Sequence, residues 1–169
     1  MSKVLGIDQS FKNTGWCVTV DGKLTAHGMI HSPKELDKFT RMHWVGQRIE
    51  DLIIDHLPDI VSLEGLPFGT LPGNSSKDLA GLQAVVGVYI IVNEGYPLGD
   101  TLFLPPPTSV KLFATGSGKA SKEDMVEALP DDVKELFNKV PISKGRHDLA
   151  DAYWLALFGE KKGLERGNC

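Results

Sequence analysis

The sequence predicts an α/β fold built on one mixed five-stranded sheet, with helices on both faces. Three observations carry this. Three short apolar runs joined by tight turns fill the first thirty residues, the pattern of an antiparallel meander. A long amphipathic stretch then leads into a fourth apolar run at 60–64, and a helix followed by such a strand reads as a crossover to a parallel position. The order along the whole chain is β-β-β-α-β-α-β-α.

The first strand is Val4 to Asp8, an apolar run that stops on a carboxylate and opens into a turn. Thr14 to Val20 is the second strand, and Asp21-Gly22 is a strong hairpin signal before Leu24 to Ile30 returns as the third. Ser32-Pro33 reads as an N-cap and first helical residue, with Leu36, Phe39, Val45, Ile49, Leu52 and Ile53 as one apolar face and Pro58 as the stop. Ile60 to Glu64 is a short strand that again ends on an acid. Residues 66–75 form a Gly- and Pro-rich loop. A helix over 76–93 follows, with Leu79, Leu82, Val86 and Ile90 facing inward, and Gly81 and Gly87 placed for close packing. Thr101 to Leu104 is a fifth strand, and Thr108 caps a short helix to Phe113. Ser121 with Asp124 is a capping-box variant that opens a helix to Leu129. The charged stretch 130–146 has no clear period, and His147 to Lys161 is the last helix.

The chain has 169 residues, with 41% hydrophobic and 24% charged, and these values predict a single globular domain, 1–169. Its two cysteines, Cys17 and Cys169, make neither a disulfide framework nor a zinc spacing, which points to a reducing compartment and a cytoplasmic protein. No signal peptide is visible, and the longest nearly unbroken apolar run, Ala84 to Val92, is too short to span a membrane. A net charge of −4 argues at first against nucleic acid as partner. Carboxylates committed to a metal would leave room for a basic stripe despite that total.

The acids are the chemical signal. Asp8, taken alone, is a turn cap or a metal ligand. Glu64 repeats its setting on another strand end, and Asp148 and Asp151 share one face at the start of the last helix. Leu149, Ala150, Ala152 and Leu155 make that start buried, and buried carboxylates need something positive among them. Two carboxylates on strand ends and two on a helix suit hard divalent ions, which take oxygen ligands. Two such ions about 4 Å apart would clamp one phosphate. Lys119 after Gly116-Ser117-Gly118 resembles a phosphate loop only superficially, because Ala120 stands where Ser or Thr must follow. Glycines flanked by Lys119 and Lys122 still suit close approach of a nucleic-acid backbone. Phe68 is an aromatic ring in a Gly/Pro loop with no evident core to enter, whereas Trp16, Trp44 and Trp154 sit in core patterns. His147 reads as a cap or surface residue, and Arg146 either touches phosphate or solvates a loop.

In order along the chain, Gly6-Ile7-Asp8-Gln9-Ser10 with Thr14-Gly15, Leu63-Glu64, Ser109-Val110-Lys111, Thr115 to Lys122, and His147 to Ala152 resemble the RuvC family of Holliday junction resolvases. The resemblance implies a ribonuclease H-like fold and a metal-dependent endonuclease for four-way and related branched DNA. It places Asp8, Glu64, Asp148 and Asp151 on the four acidic positions that bind Mg²⁺ or Mn²⁺, as two ions. Lys111 and Lys122 fall on its basic positions near the scissile strand, Lys122 as part of the catalytic set. Phe68 lies close to where the family places an aromatic after its glutamate, although Pro67 shifts the spacing, and Lys119 and Arg146 join as DNA contacts from the residues themselves. It further implies a homodimer, for which the 76–93 helix is the candidate interface. The compact length and the departures around Glu64 favour a phage-encoded member acting in an infected host. A bacterial one would receive junctions from branch-migration proteins. Two alternatives stay open from residues alone. One is a nuclease of the same fold acting on RNA. The other is an ATP-binding protein of the actin-like superfamily, whose first phosphate motif also places an Asp after an apolar strand.

Overall fold

The computed structural model of the chain describes residues 1–66 and 74–167. Among these residues the sheet has five strands in the order β3-β2-β1-β4-β5, built from β1 (Lys3–Asp8), β2 (Asn13–Val20), β3 (Lys23–His31), β4 (Ile60–Leu63) and β5 (Leu102–Phe103). The first three strands are antiparallel neighbours, while β4 runs parallel to β1 and β5 parallel to β4. The mixed sheet expected from the sequence is therefore present, with β1 at its centre. Asp21 and Gly22, at φ of 47° and 76°, take the two left-handed positions that a two-residue hairpin requires.

Among the described residues, α-helices occupy Lys38–His56 (α1), Asn74–Val88 (α2), Pro107–Thr115 (α3), Lys122–Glu127 (α4), Asp131–Asn138 (α5) and Arg146–Gly167 (α6). Successive residues of a strand point to opposite faces. On β1, Leu5 and Ile7 enter a core shared with Val45, Ile49 and Ile53 of α1 and Leu82, Val86 and Ile90 in and after α2. Val4 points the other way, against Ala156 of α6. The sheet is thus covered by α1 and α2 on one face and by α6 on the other. No helix among the described residues is long and apolar enough to cross a membrane.

Several local expectations need correction. Ser32-Pro33 does not open α1. The Ser32 hydroxyl donates instead to the Phe11 carbonyl, and Asp37 is the N-cap, accepting from the Phe39 and Thr40 amides. Phe39, expected inside, is 78% exposed. Thr108 is not a cap either. Pro106 holds that place with Pro107 in the first turn, where a missing N–H costs nothing. The charged stretch 130–146 contains α5, which hides its periodicity behind charges and buries only Val133 and Phe137. The 76–93 helix ends in a π-type turn, Tyr89–Asn93. Gly81 packs on the Met42 side chain as expected, but a Cβ on Gly87 would meet nothing within 4 Å. Cys17 is a buried free thiol, and Cys169 and Phe68 lie outside the described residues.

Candidate active site

Strand parity decides where the first two acids go. Ile7 and Leu63 are register partners and both face α1, so Asp8 and Glu64, one residue further, turn toward α6. The Glu64 amide donates to the Ile7 carbonyl at 3.0 Å, which ties the two strand ends together. Gln9 and Gln83 brace the same corner, each donating its side-chain amide to the Glu64 carbonyl, at 3.3 and 3.4 Å. Neither glutamine was assigned a role from sequence. Gln83 carries a faint signal, a polar residue inside an apolar helix.

Helix α6 can deliver Asp148 and Asp151 only if it lies close on the sheet. Two glycines make room for it. A Cβ on Gly6 would stand 2.1 Å from the Ala152 carbonyl oxygen, and one on Gly15 would stand 2.4 Å from that of Asp148. Gly15 is also the register partner of Asp8. The closeness of α6 and the position of its acids are therefore set by the same two residues.

Helix α4 supplies the counter-charge. Its capping box, with Ser121 and Asp124 bonding each other's backbone amides, fixes Lys122 as the first helical residue. The Trp154 indole donates to the Met125 carbonyl at 2.9 Å and joins α4 to α6. Lys122 Nζ consequently stands 3.7 Å from Asp148 Oδ1. Asp8, Glu64, Asp151, Lys111 and Lys122 line one cleft of about 200 Å³, whose other walls are Pro107, Val110, Met125 and Leu155. Those apolar walls were not identified from the sequence.

The electrostatics follow from crowding acids in a half-enclosed cleft. Burial, then the carboxylates of Glu64, Asp151 and Asp148, push Asp8 well above its usual range, and Lys122 only partly opposes them. Glu64 is pushed up to about 7 by burial and by Asp151, against a hydrogen bond with Asp8 and the charges of Lys122 and Lys111. Asp151 is raised by burial, with Lys122 the largest opposing influence. Lys122 itself is raised, because the four acids outweigh the burial that disfavours its charge. Among the described residues no group of three or more His, Cys, Asp or Glu side chains stands arranged to hold a metal ion. Asp8 and Glu64 bond each other, and Asp148 faces Lys122. In kind, however, the donors fit a hard divalent ion: all are carboxylate oxygens, and their charge is under-compensated.

A pH dependence follows. Without metal, the unfolded chain releases the Glu64 proton near its ordinary value of 4.5, and the folded chain near 7. The folded state binds more protons in that window, so its stability falls as pH rises, by up to about 3 kcal/mol. Thermal melts of chelated protein should show Tm dropping between pH 5 and 7.5, with the slope flattened in Glu64→Gln.

The remaining sequence candidates fall elsewhere. Lys119 is exposed and does not line the cleft. Arg146 is redirected: its Nε donates to the Val140 carbonyl at 2.8 Å and its Nη2 to that of Asn138 at 3.0 Å, so it braces the end of α5 instead of facing a ligand. His147 is largely buried, with Nε2 3.8 Å from Glu123 Oε1.

No family model matches the chain. Among curated proteins, it is 30% identical over 161 residues to a crossover junction endodeoxyribonuclease RuvC of Prochlorococcus marinus, covering 92% of this chain and 96% of that one. To the protein of the same name from Caldanaerobacter subterraneus subsp. tengcongensis it is 29% identical, covering 92% and 90%. Among solved structures, Thermus thermophilus RuvC in complex with Holliday junction substrate matches with a TM-score of 0.73 at 19% identity, over 99% of this chain and 97% of that one. The last likeness is one of fold, and it is the ribonuclease H-like fold expected from the sequence. With 30% identity across nearly the whole of both chains, the protein belongs to the RuvC family of crossover junction endodeoxyribonucleases.

Proposed function

We propose that the chain is a metal-dependent, structure-selective DNA endonuclease that hydrolyses phosphodiester bonds in four-way and related branched junctions, with 1–169 acting as one nuclease domain. The observation that carries this is the convergence of Asp8, Glu64 and Asp151 with Lys111 and Lys122 on one cleft, with Asp148 beside Lys122. The relatives' name specifies a deoxyribonuclease, which favours DNA over the RNA and ATP alternatives.

Asp8, Glu64, Asp148 and Asp151 would hold Mg²⁺, with Mn²⁺ as substitute, in a two-ion site. Bound there, the metal supplies an activated water and charge stabilisation at phosphorus. The chain's own side chains do the rest. Lys122 and Lys111 attract the scissile phosphate and offset its charge. Pro107, Val110, Met125 and Leu155 wall the cleft from bulk water, which strengthens every charge interaction inside. The test is a synthetic four-way junction with and without Mg²⁺. Chelation should stop cleavage and readdition restore it, whereas cutting in the presence of chelator contradicts the reading. Lys122→Ala should slow cleavage about 10²-fold or more and reduce the steepness of binding against salt by about one unit.

The working unit on this reading is a homodimer. The inward stripe of α2 continues through Leu82, Val86 and Ile90, yet Ala84, Val88, Ile91 and Val92 form a second apolar stripe that faces outward. Together with Gly87 they line an open groove of about 420 Å³. A second copy of the chain is the occupant that a two-fold junction demands, since matched cuts need matched sites. Ala84→Glu should shift the protein to monomer in sedimentation velocity and uncouple the two cuts. An unchanged dimer would move the interface elsewhere.

A further inference from the structure

A second feature sits at the same end of the sheet, in residues that the cleft does not use. Two hollows of about 510 and 550 Å³ share Lys12 and Arg41. The first is also lined by Ser10, Phe11, Leu36 and Lys38, and the second by Asn13, His31 and Lys34. Among the described residues, four cations therefore meet a single lining carboxylate, Asp78, and Lys38 already engages it. Asp37, nearby on the chain, has its carboxylate committed to the α1 cap.

The other three cations are uncommitted. Among the described residues, the side chains of Lys12, Lys34 and Arg41 have no hydrogen-bonding or ionic partner, and Arg41 Nε is buried without one. Arg41 is half-buried, so its Nε lacks a partner inside the protein while the rest of its guanidinium lines both hollows, where an oxygen anion would complete it. A planar guanidinium matched to oxygen anions, with lysines on either side, is the chemistry of phosphate recognition.

Position narrows the ligand further. Ser10 is two residues past Asp8, so its backbone lies within about 7 Å of it. Phe11 and Leu36 give the first hollow apolar surface beside its charges, which suits the sugar faces of a nucleic-acid strand. Resting on the nuclease reading above, we infer that this groove seats the sugar-phosphate backbone of a DNA arm as it leaves the cleft. Lys12 and Arg41 are its central contacts and Lys34 its outer one.

The test uses the full chain as a Lys12→Ala/Lys34→Ala double variant, two surface positions whose truncation leaves the core intact, with Arg41→Gln beside it. Affinity for a labelled four-way junction is measured across a salt series, together with a hydroxyl-radical footprint and single-turnover cleavage at saturating junction. The double variant should bind about ten-fold more weakly, and its salt slope should fall by roughly two, one unit for each phosphate no longer neutralised. Its footprint should shorten on the arm away from the cut, and its cleavage rate at saturation should stay that of the parent. Arg41→Gln should shorten the same arm of the footprint. Unchanged affinity, slope and footprint in the double variant overturn the groove. So does a slowed cut at saturation with an intact footprint, which would move these residues into the cleft. A parent protein that neither binds nor cuts branched DNA is a different failure. It removes the nuclease reading itself, and the groove with it.

Discussion

Asp8→Asn should abolish junction cleavage, by about 10³-fold or more, while leaving junction binding in place. The expectation rests on its position. Asp8 ends the central strand, and the other three acids all raise its carboxyl group, so it stands where their influences meet. An amide keeps the shape but loses an anionic oxygen that a divalent ion needs. A second consequence has the opposite sign. Without metal and at neutral pH, buried Asp8 must either stay ionised beside the other carboxylates or take up a proton, and both cost stability, so Asp8→Asn should raise Tm in chelated buffer. Loss of cleavage with a gain in metal-free stability marks a functional acid. A turn cap would do the reverse, because its removal lowers stability by about 1 kcal/mol and leaves chemistry alone.

Gly6→Ala is expected to have the largest effect on the fold. The new Cβ would fall 2.1 Å from the Ala152 carbonyl oxygen and 2.5 Å from the Ala156 amide nitrogen. Both are backbone atoms of α6, so no side-chain rotation relieves the clash. Helix α6 must move off the sheet, at a cost of about 3 kcal/mol or more. In a chain of this size that lowers Tm by roughly 10 °C. The shift also carries Asp148 and Asp151 away from Asp8. Cleavage should therefore fall further than the melt alone explains at temperatures where the variant is still folded. Paired melts and cleavage assays at 20 °C check both halves.

Strands β1 to β4 are legible in the sequence because each is an apolar run bounded by turn residues, and the Asp21-Gly22 hairpin because only special residues take those dihedrals readily. The side on which Asp8 and Glu64 emerge follows from strand parity once the register is known. What the sequence conceals depends on tertiary contacts. Ser32-Pro33 has the letters of a helix start, yet the Ser32 hydroxyl is taken by Phe11, and the chain waits until Asp37 to turn. Helix α5 buries two side chains in eight residues, too few to mark a period against its charges. Arg146 looks available for phosphate because no pattern of letters discloses that the carbonyls of Asn138 and Val140 claim it. The roles of Gly6 and Gly15 are invisible for the same reason. A glycine in a strand does not say which backbone passes over it.

The most direct measurement of the central claim is strand-resolved cleavage of four substrates by the parent protein in Mg²⁺: a four-way junction, a flap, a linear duplex and a DNA–RNA hybrid. Paired cuts in opposing strands of the junction, with the linear duplex and the hybrid left intact, is the predicted result. Equal cutting of duplex or hybrid, or junction cleavage that persists in Asp8→Asn, would contradict it.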